Sequence, residues 1–207
     1  MNFLANFDHQ IIPHSALASV FSDYARPNDK INRLTHQGSL VSLKKGLYAL
    51  SGNLAPPKEL VANHLYGPSY VSCQWALSYY GLLTERVIEV TSMCLGRSKQ
   101  IENVLGRFNY HALPLHYYAL GQTSIRQQQN AFLMATAEKA LCDLLVSARH
   151  LRLQSISAMT SYLLDDLRLD EEELAELDSL AVRKFTEAGY KKSLLTTLAD
   201  TLEALHD

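Results

Sequence analysis

The chain contains 207 residues, carries a net charge of −2 and is 47% hydrophobic. That length suffices for one large core, or for a small domain beside a medium-sized one. A near-neutral charge excludes proteins that coat nucleic acid indiscriminately, which are usually strongly basic. Because no apolar run approaches the roughly 18–20 residues that span a bilayer, and the first residues lack a signal-peptide pattern, we expect a cytoplasmic protein without membrane association.

Charge is unevenly distributed along the chain. Residues 1–65 and residues 66–150 each carry a net charge of +2, whereas residues 151–207 carry −6. A basic surface outside the C-terminal part is therefore compatible with the overall charge. The three cysteines lack C-x-x-C spacing and are typical of reduced core thiols.

The first 50 residues predict three helices followed by a β-hairpin. Apolar spacing places the helices over residues 2–10, 16–21 and 29–37. Ser15 and Asn28 are expected to cap the second and third helices, and Gly38 to end the third. Strands are expected over residues 40–43 and 47–50, joined at a turn where Gly46 suits a positive φ. This is the element order of a winged helix-turn-helix, and the proline pair at 56 and 57 marks its boundary.

The remainder of the chain mixes helical and strand patterns. Helices are expected over residues 59–66, 72–80 and 137–148, and strands over residues 86–94, 106–113, 117–120 and 131–135. The second of these strands is expected to pair with the first, with a loop over residues 96–103 between them. Thr136 is expected to cap the helix that follows it. From residue 156 onward the pattern is helical.

We therefore predict an α+β fold. A winged helix-turn-helix occupies residues 1–57 and an α+β domain occupies residues 58–207, of which residues 151–207 form an acidic, all-helical tail. In the last helix, a leucine stripe is expected to pack onto the core. The alternative is that this stripe docks a basic partner or forms a homodimer, as a palindromic operator would require.

The third predicted helix carries the candidate DNA-reading residues. Ile31 and Leu34 are its only apolar residues and must face the core. At 100° per residue the opposite face then carries Asp29, Asn32, Arg33 and His36, with Lys30 and Gln37 on the flanks. Amide, guanidinium and imidazole groups read base edges in the major groove.

Side chains at the flank and the turn are candidates for phosphate contacts. We expect Asn32, Arg33 and His36 to read bases, while Lys30, Lys44 and Lys45 hold the backbone of double-stranded DNA. Asp29 would repel phosphate unless it accepts a hydrogen bond from a cytosine amino group. The alternative is an ordinary solvated helix face next to a soluble turn.

Several stretches resemble the AbiEi family, antitoxin-type regulators of bacterial type IV toxin–antitoxin systems. The stretches are Gly-Ser-Leu-Val-Ser-Leu-Lys-Lys-Gly-Leu-Tyr-Ala-Leu at 38–50, Tyr-Gly-Pro-Ser-Tyr at 66–70, Ala-Leu-Ser-Tyr-Tyr-Gly-Leu at 76–82, Gly-Arg-Phe-Asn-Tyr at 106–110 and Glu-Lys-Ala-Leu-Cys-Asp-Leu-Leu at 138–145. The resemblance spans residues 38–146. It implies an N-terminal winged helix that represses its own operon and a C-terminal domain that counteracts a nucleotidyltransferase-like toxin encoded alongside. The departures are Cys73-Gln74-Trp75, and Thr136-Ala137 where a proline is common.

No enzyme motif stands out in the sequence. We find no phosphate loop, no G-x-S-x-G, no H-E-x-x-H and no zinc spacing, and we predict no catalytic, cofactor or metal site. Lys139 and Asp143 form an i,i+4 pair that would contribute a few tenths of a kcal/mol on a helix surface. The alternatives to a repressor and antitoxin are a stand-alone winged-helix regulator, an interaction module, or a nuclease that uses Glu138, Lys139 and Asp143.

Overall fold

The computed structural model describes residues 4–206. Its N-terminal unit contains two helices and a three-stranded sheet. Its elements are β1 (Ile12–Pro13), α1 (His14–Val20), α2 (Pro27–His36), β2 (Leu40–Lys44) and β3 (Leu47–Leu50). The sheet order is β1-β3-β2, with both pairs antiparallel. The predicted hairpin is confirmed, and Gly38 and Gly46 have φ of 74° and 81°, as their turns require.

The helix expected over residues 2–10 is wrong. Residues 2 and 3 lie outside the described part of the chain, and only a single 3₁₀ turn, Ala5–Phe7, is present in the rest. The chain turns away at His9, whose φ of 61° is incompatible with a continuing helix. Three helices were expected before the hairpin, and two α-helices precede it within residues 4–50.

Neither predicted N-cap is used. The first helix starts at His14, directly after Pro13, and the second starts with Pro27 as its first residue, one residue before the expected cap. At Pro27 this start is favourable, because the fixed φ of proline suits the first helical position and its missing N–H would have no partner there. The Asn28 side chain is therefore free to bond elsewhere.

The rest of the chain forms a six-stranded sheet covered by helices. Its elements are α3 (Lys58–Leu65), β4 (Ser69–Val71), α4 (Cys73–Tyr79), β5 (Val90–Cys94), β6 (Lys99–Asn103), β7 (Gly106–Ala112), α5 (Leu115–Tyr118), β8 (Gln122–Gln127), β9 (Asn130–Ala135), α6 (Ala137–Ser147), α7 (Ile156–Ser161, continued by a π-helical turn, Tyr162–Asp166), α8 (Glu171–Ala175), α9 (Ser179–Thr186) and α10 (Lys192–His206). The strand order is β6-β7-β5-β4-β9-β8. The predicted α+β class is confirmed. No helix within residues 4–206 combines the length and apolar character needed to cross a membrane.

Two predictions for this sheet are wrong, and one pairing is confirmed. The loop expected over residues 96–103 contains β6, which forms an antiparallel hairpin with β7. The expected pairing of β7 with β5 is confirmed, and because β6 lies between them in sequence the two strands run parallel. Residues 117–120 are not a strand, because Pro114 opens the short helix α5, and the strand next to it, β8, has a polar sequence without apolar alternation.

The buried apolar residues form two clusters that meet at the N-terminal hairpin. Leu40 and Leu50 belong to a small cluster with α1 and α2, whereas Val41, Leu43 and Ala49 belong to the large cluster of the six-stranded sheet. Because alternate residues of a strand point to opposite faces, one hairpin serves both clusters. The N-terminal unit is thus packed on the rest of the chain rather than joined to it only by residues 51–57.

The acidic C-terminal part contributes to the large cluster. The leucine stripe of α10 is buried there, through Leu194, Leu195, Leu198 and Leu202. This confirms that the stripe packs onto the core, so these leucines are not available to a partner. Asp170 caps α8 by accepting a hydrogen bond from the Glu173 N–H, and Thr136 caps α6 as predicted. The three cysteines are buried, and none of them is in a disulfide.

The side chain of Asn63, on α3, forms hydrogen bonds with the backbone of β9, as an adjacent strand would. Its side-chain oxygen accepts a hydrogen bond from the Leu133 N–H at 2.6 Å, and its amide nitrogen donates to the Leu133 carbonyl at 3.2 Å. We expect Asn63→Ala to lower the free energy of unfolding by about 0.5–1.5 kcal/mol, because both backbone groups lose their protein partner and water replaces it only in part at this exposed position. Urea unfolding measures this, and Asn53→Ala in the loop before α3 is the matched control. A loss no larger than that of the control would contradict the assignment.

Candidate nucleic-acid interface

The exposed face of α2 carries the residues predicted to read bases. Ile31 is 1% exposed and anchors the helix on the small cluster, with Leu34 half-buried beside it. The side chains of Asn32, Arg33 and His36 are exposed, as the apolar spacing predicted. The α2 helix therefore presents a continuous polar face to solvent.

The charged residues at the start of α2 are arranged around an open groove. Lys30 is half-buried because its ammonium group lies 5.3 Å from the centre of the Tyr24 ring. The Asp29 carboxylate lies 3.7 Å from the Arg26 guanidinium, which offsets the negative charge that was expected to repel phosphate. Together with Arg33 these side chains line a groove of about 430 Å³. Tyr24 and Arg26 were not predicted, because neither lies within the predicted helix.

The hairpin turn presents the second group of cations. Lys44 and Lys45 are exposed, and a register shift between Ser42 and Lys44 interrupts the pairing of β2 with β3 just before the turn. Neither lysine forms an ion pair within residues 4–206. Both ammonium groups are therefore available to an anion from solvent.

His14 connects the hairpin turn to α2. Its backbone N–H donates to the Gly46 carbonyl at 2.8 Å, and its ring Nε2 donates to the Asn28 Oδ1 at 2.9 Å. The turn with the two lysines consequently lies beside the first turn of α2. Asn32 is four residues after Asn28 and lies on the same side of the helix.

The six predicted residues lie on two neighbouring parts of the N-terminal unit, which together we call the α2–turn surface. It comprises Lys30, Asn32, Arg33 and His36 on α2 and Lys44 and Lys45 in the turn. His14 and Asn28 join its two parts, and this contact was not predicted. Nothing in the sequence marks that contact, since it spans 14 residues and depends on how α1 packs against the hairpin.

A second polar cluster lies in the core and is inaccessible. Lys139 and Asp143 are both 0% exposed, and their Nζ and Oδ1 atoms are 2.5 Å apart. The other carboxylate oxygen accepts hydrogen bonds from the Tyr70 hydroxyl at 2.9 Å and the Ser72 hydroxyl at 2.7 Å. The Lys139 ammonium also lies 3.6 Å from the centre of the Tyr117 ring. The expectation of a weak surface pair is therefore wrong.

The electrostatics of this cluster reflect its burial. Burial raises the pKa of the Asp143 carboxyl, against the opposing effect of the Lys139 ammonium and the two hydroxyl donors. Burial and the nearby carboxylate also raise the pKa of the Cys73 thiol well above its usual value. A carboxylate enclosed in this way cannot bind a metal ion from solvent. Residues 4–206 contain no group of three His, Cys, Asp or Glu side chains that could hold a metal.

Comparison with known proteins informs the fold alone. No protein-family model and no curated protein matches the chain. Among solved structures, the crystal structure of the RV2827C protein from Mycobacterium tuberculosis is similar, with a TM-score of 0.51 and 14% sequence identity. The match covers 98% of this chain and 78% of that chain. A similar overall arrangement of helices and strands, over almost the whole chain, therefore occurs in a second protein.

Proposed function

We propose that the N-terminal unit is a winged helix-turn-helix and that the protein is a DNA-binding repressor of its own operon. In this proposal α2 is the recognition helix and the β2–β3 hairpin is the wing. The observation that supports it most is the His14 bridge, which joins Asn28 in the first turn of α2 to the turn that contains Lys44 and Lys45. A base-reading helix and a phosphate-binding turn on one surface are what major-groove recognition requires.

The dimensions of α2 suit this role. Its ten residues extend about 15 Å, and the major groove, about 12 Å wide, admits one α-helix. Asn32 can bond an adenine edge and Arg33 a guanine edge, while Lys44 and Lys45 neutralise phosphates beside the groove. Recognition of a palindromic operator would further require a homodimer.

We further propose that the protein is the antitoxin of a type IV toxin–antitoxin system. The support is the resemblance of residues 38–146 to the AbiEi family, and the partner would be a nucleotidyltransferase-like toxin. Co-expression with the adjacent nucleotidyltransferase-like reading frame tests this, and restored growth is the expected result. Continued growth arrest, or the lack of such a reading frame, would favour the stand-alone regulator instead.

The wing lysines provide the direct test of DNA binding. Replacing Lys44 and Lys45 by alanine should weaken binding to the protein's own upstream region and to random duplexes alike, because phosphates carry no sequence information. The slope of log K against log salt should decrease by about one to two units. Fluorescence anisotropy over a salt series measures both quantities.

Lys184→Ala with Lys192→Ala is the matched control for this variant. These lysines are also exposed and their removal changes the net charge equally, but they lie in α9 and α10. The control should bind like the unmodified protein. If both variants showed the same salt slope, the hairpin would not be part of the DNA interface. If the unmodified protein did not bind DNA, the interaction module would be favoured.

A further inference from the structure

His9 lies where three segments of the chain meet. Its backbone N–H donates to the Leu54 carbonyl at 2.9 Å, and its ring Nδ1 donates to the Ala55 carbonyl at 3.0 Å. Leu54 and Ala55 belong to the connection between β3 and α3. The segment that precedes β1 is thus bonded to the connection that leaves the N-terminal unit.

The turn between β8 and β9 holds the same segment from the other side. The Gln129 side-chain amide donates to the Asp8 carbonyl, and the Asn130 side-chain amide donates to the His9 carbonyl, each at 2.9 Å. These donors are 121 residues away in sequence and belong to the six-stranded sheet. We call this set of contacts, made by Asp8, His9, Gln129 and Asn130, the β8–β9 clamp.

Four residues separate His9 of the clamp from His14, which joins the two parts of the α2–turn surface. After His9 the chain enters β1, where Ile12 and Pro13 pair with Tyr48 and Leu47 of β3. The next residue, His14, bonds both the hairpin turn and α2. The clamp therefore fixes one end of a short, hydrogen-bonded segment whose other end joins the recognition helix to the wing.

We propose that Gln129 and Asn130 are positioning residues for DNA recognition, through which the six-stranded sheet controls the geometry of the α2–turn surface. This inference rests on the proposed function. The two amides do not touch DNA; they hold residues 8 and 9, and hence β1 and His14, in the arrangement that sets α2 against the wing. The apparent affinity for DNA falls when only a fraction of the molecules is in the binding conformation. Contacts that keep the segment ordered therefore raise the apparent affinity.

Replacing Gln129 and Asn130 by alanine tests the inference on the full chain. Loss of two hydrogen bonds should reduce the population of the ordered segment and weaken binding to the upstream region by about 5- to 30-fold. The salt slope should stay unchanged, because Lys30, Lys44 and Lys45 remain. Amide hydrogen exchange should become faster at residues 8–10 and 52–55 and remain unchanged in α6.

Two further variants separate positioning from other effects. Gln127→Ala with Gln128→Asn alters exposed glutamines of the same turn whose side chains have no hydrogen-bond partner within residues 4–206, and it should bind like the unmodified protein. Gln129→Met with Asn130→Leu keeps the side-chain shapes but removes the donors, and it should reproduce the loss.

Each outcome bears on a different statement. If the unmodified protein does not bind DNA, the proposed function itself fails. If it binds and the alanine variant binds equally well, or if exchange at residues 8–10 does not accelerate, the positioning role is overturned. A lower salt slope in the alanine variant would also overturn it, since the loss would then come from phosphate contacts.

Discussion

Replacing Asp143 by alanine is expected to lower the free energy of unfolding by about 3–5 kcal/mol, because it leaves the Lys139 ammonium buried without a counter-ion. Both side chains are 0% exposed, so bulk water does not solvate the Lys139 ammonium. The Tyr70 and Ser72 hydroxyls lose their acceptor in the same substitution. Equilibrium urea unfolding, followed by circular dichroism, measures the change.

The control for Asp143 is a carboxylate of an exposed ion pair. Glu102 lies 3.2 Å from the Arg107 guanidinium, and both side chains are more than half exposed, at 65% and 59%. Glu102→Ala should cost about 0–1 kcal/mol, because solvent screens the pair. Similar costs for Asp143→Ala and Glu102→Ala would show that water reaches the Lys139–Asp143 pair.

A double substitution separates the ion pair from the packing around it. Lys139→Met combined with Asp143→Leu removes both charges and retains side-chain volume, so it should be less destabilising than Asp143→Ala alone. This result would show that the single variant suffers mainly from an unpaired charge. A double variant that is as unstable as the single one would instead assign the cost to the lost hydroxyl contacts and packing.

The second large effect is expected at Arg33. Its alanine variant should lose about 1–3 kcal/mol of binding free energy for the operator, because a guanidinium on the exposed face of the proposed recognition helix can make a bidentate contact to guanine. The loss should be confined to one base pair, so that the variant no longer distinguishes substitutions at that position. Anisotropy titrations against a panel of single-base-pair variants measure this.

The control for Arg33 is another exposed arginine outside the proposed interface. Arg126 lies on β8, the edge strand of the six-stranded sheet, and its replacement by alanine should leave operator binding unchanged. If Arg33→Ala weakens operator and random duplex equally, Arg33 contacts phosphate and the base-reading assignment is wrong. Thermal unfolding should be nearly unaffected, because the Arg33 side chain is exposed.

The sequence was most informative where a local rule sufficed. Ile31 and Leu34 defined the buried side of α2, and its exposed side followed from helical periodicity. Gly46 predicted the hairpin turn because glycine readily adopts the positive φ that the turn has, and Thr136 predicted the start of α6 because its side chain can cap the helix. In each case the interacting groups lie within a few residues of one another, so the tertiary structure does not change the outcome.

Local rules failed for the strands at the sheet edges and for the first predicted helix. The β6 and β8 strands are largely polar and exposed, and they form because β7 and β9 offer backbone partners next to them. Pairing partners of this kind leave no periodic apolar signal. Likewise, apolar spacing over residues 2–10 could not reveal that His9 adopts a positive φ and bonds the connection after β3.

The sequence by itself determined the α+β class, the hairpin, the polar face of α2 and the packing of the last helix, because periodicity and turn residues report which face of an element is buried. Only the tertiary structure decided which faces meet. An i,i+4 pair such as Lys139 and Asp143 has the same spacing on a solvated helix and in a core. The His14 bridge and the β8–β9 clamp likewise join residues that are distant in sequence, and proximity of that kind depends on the packing of the whole chain.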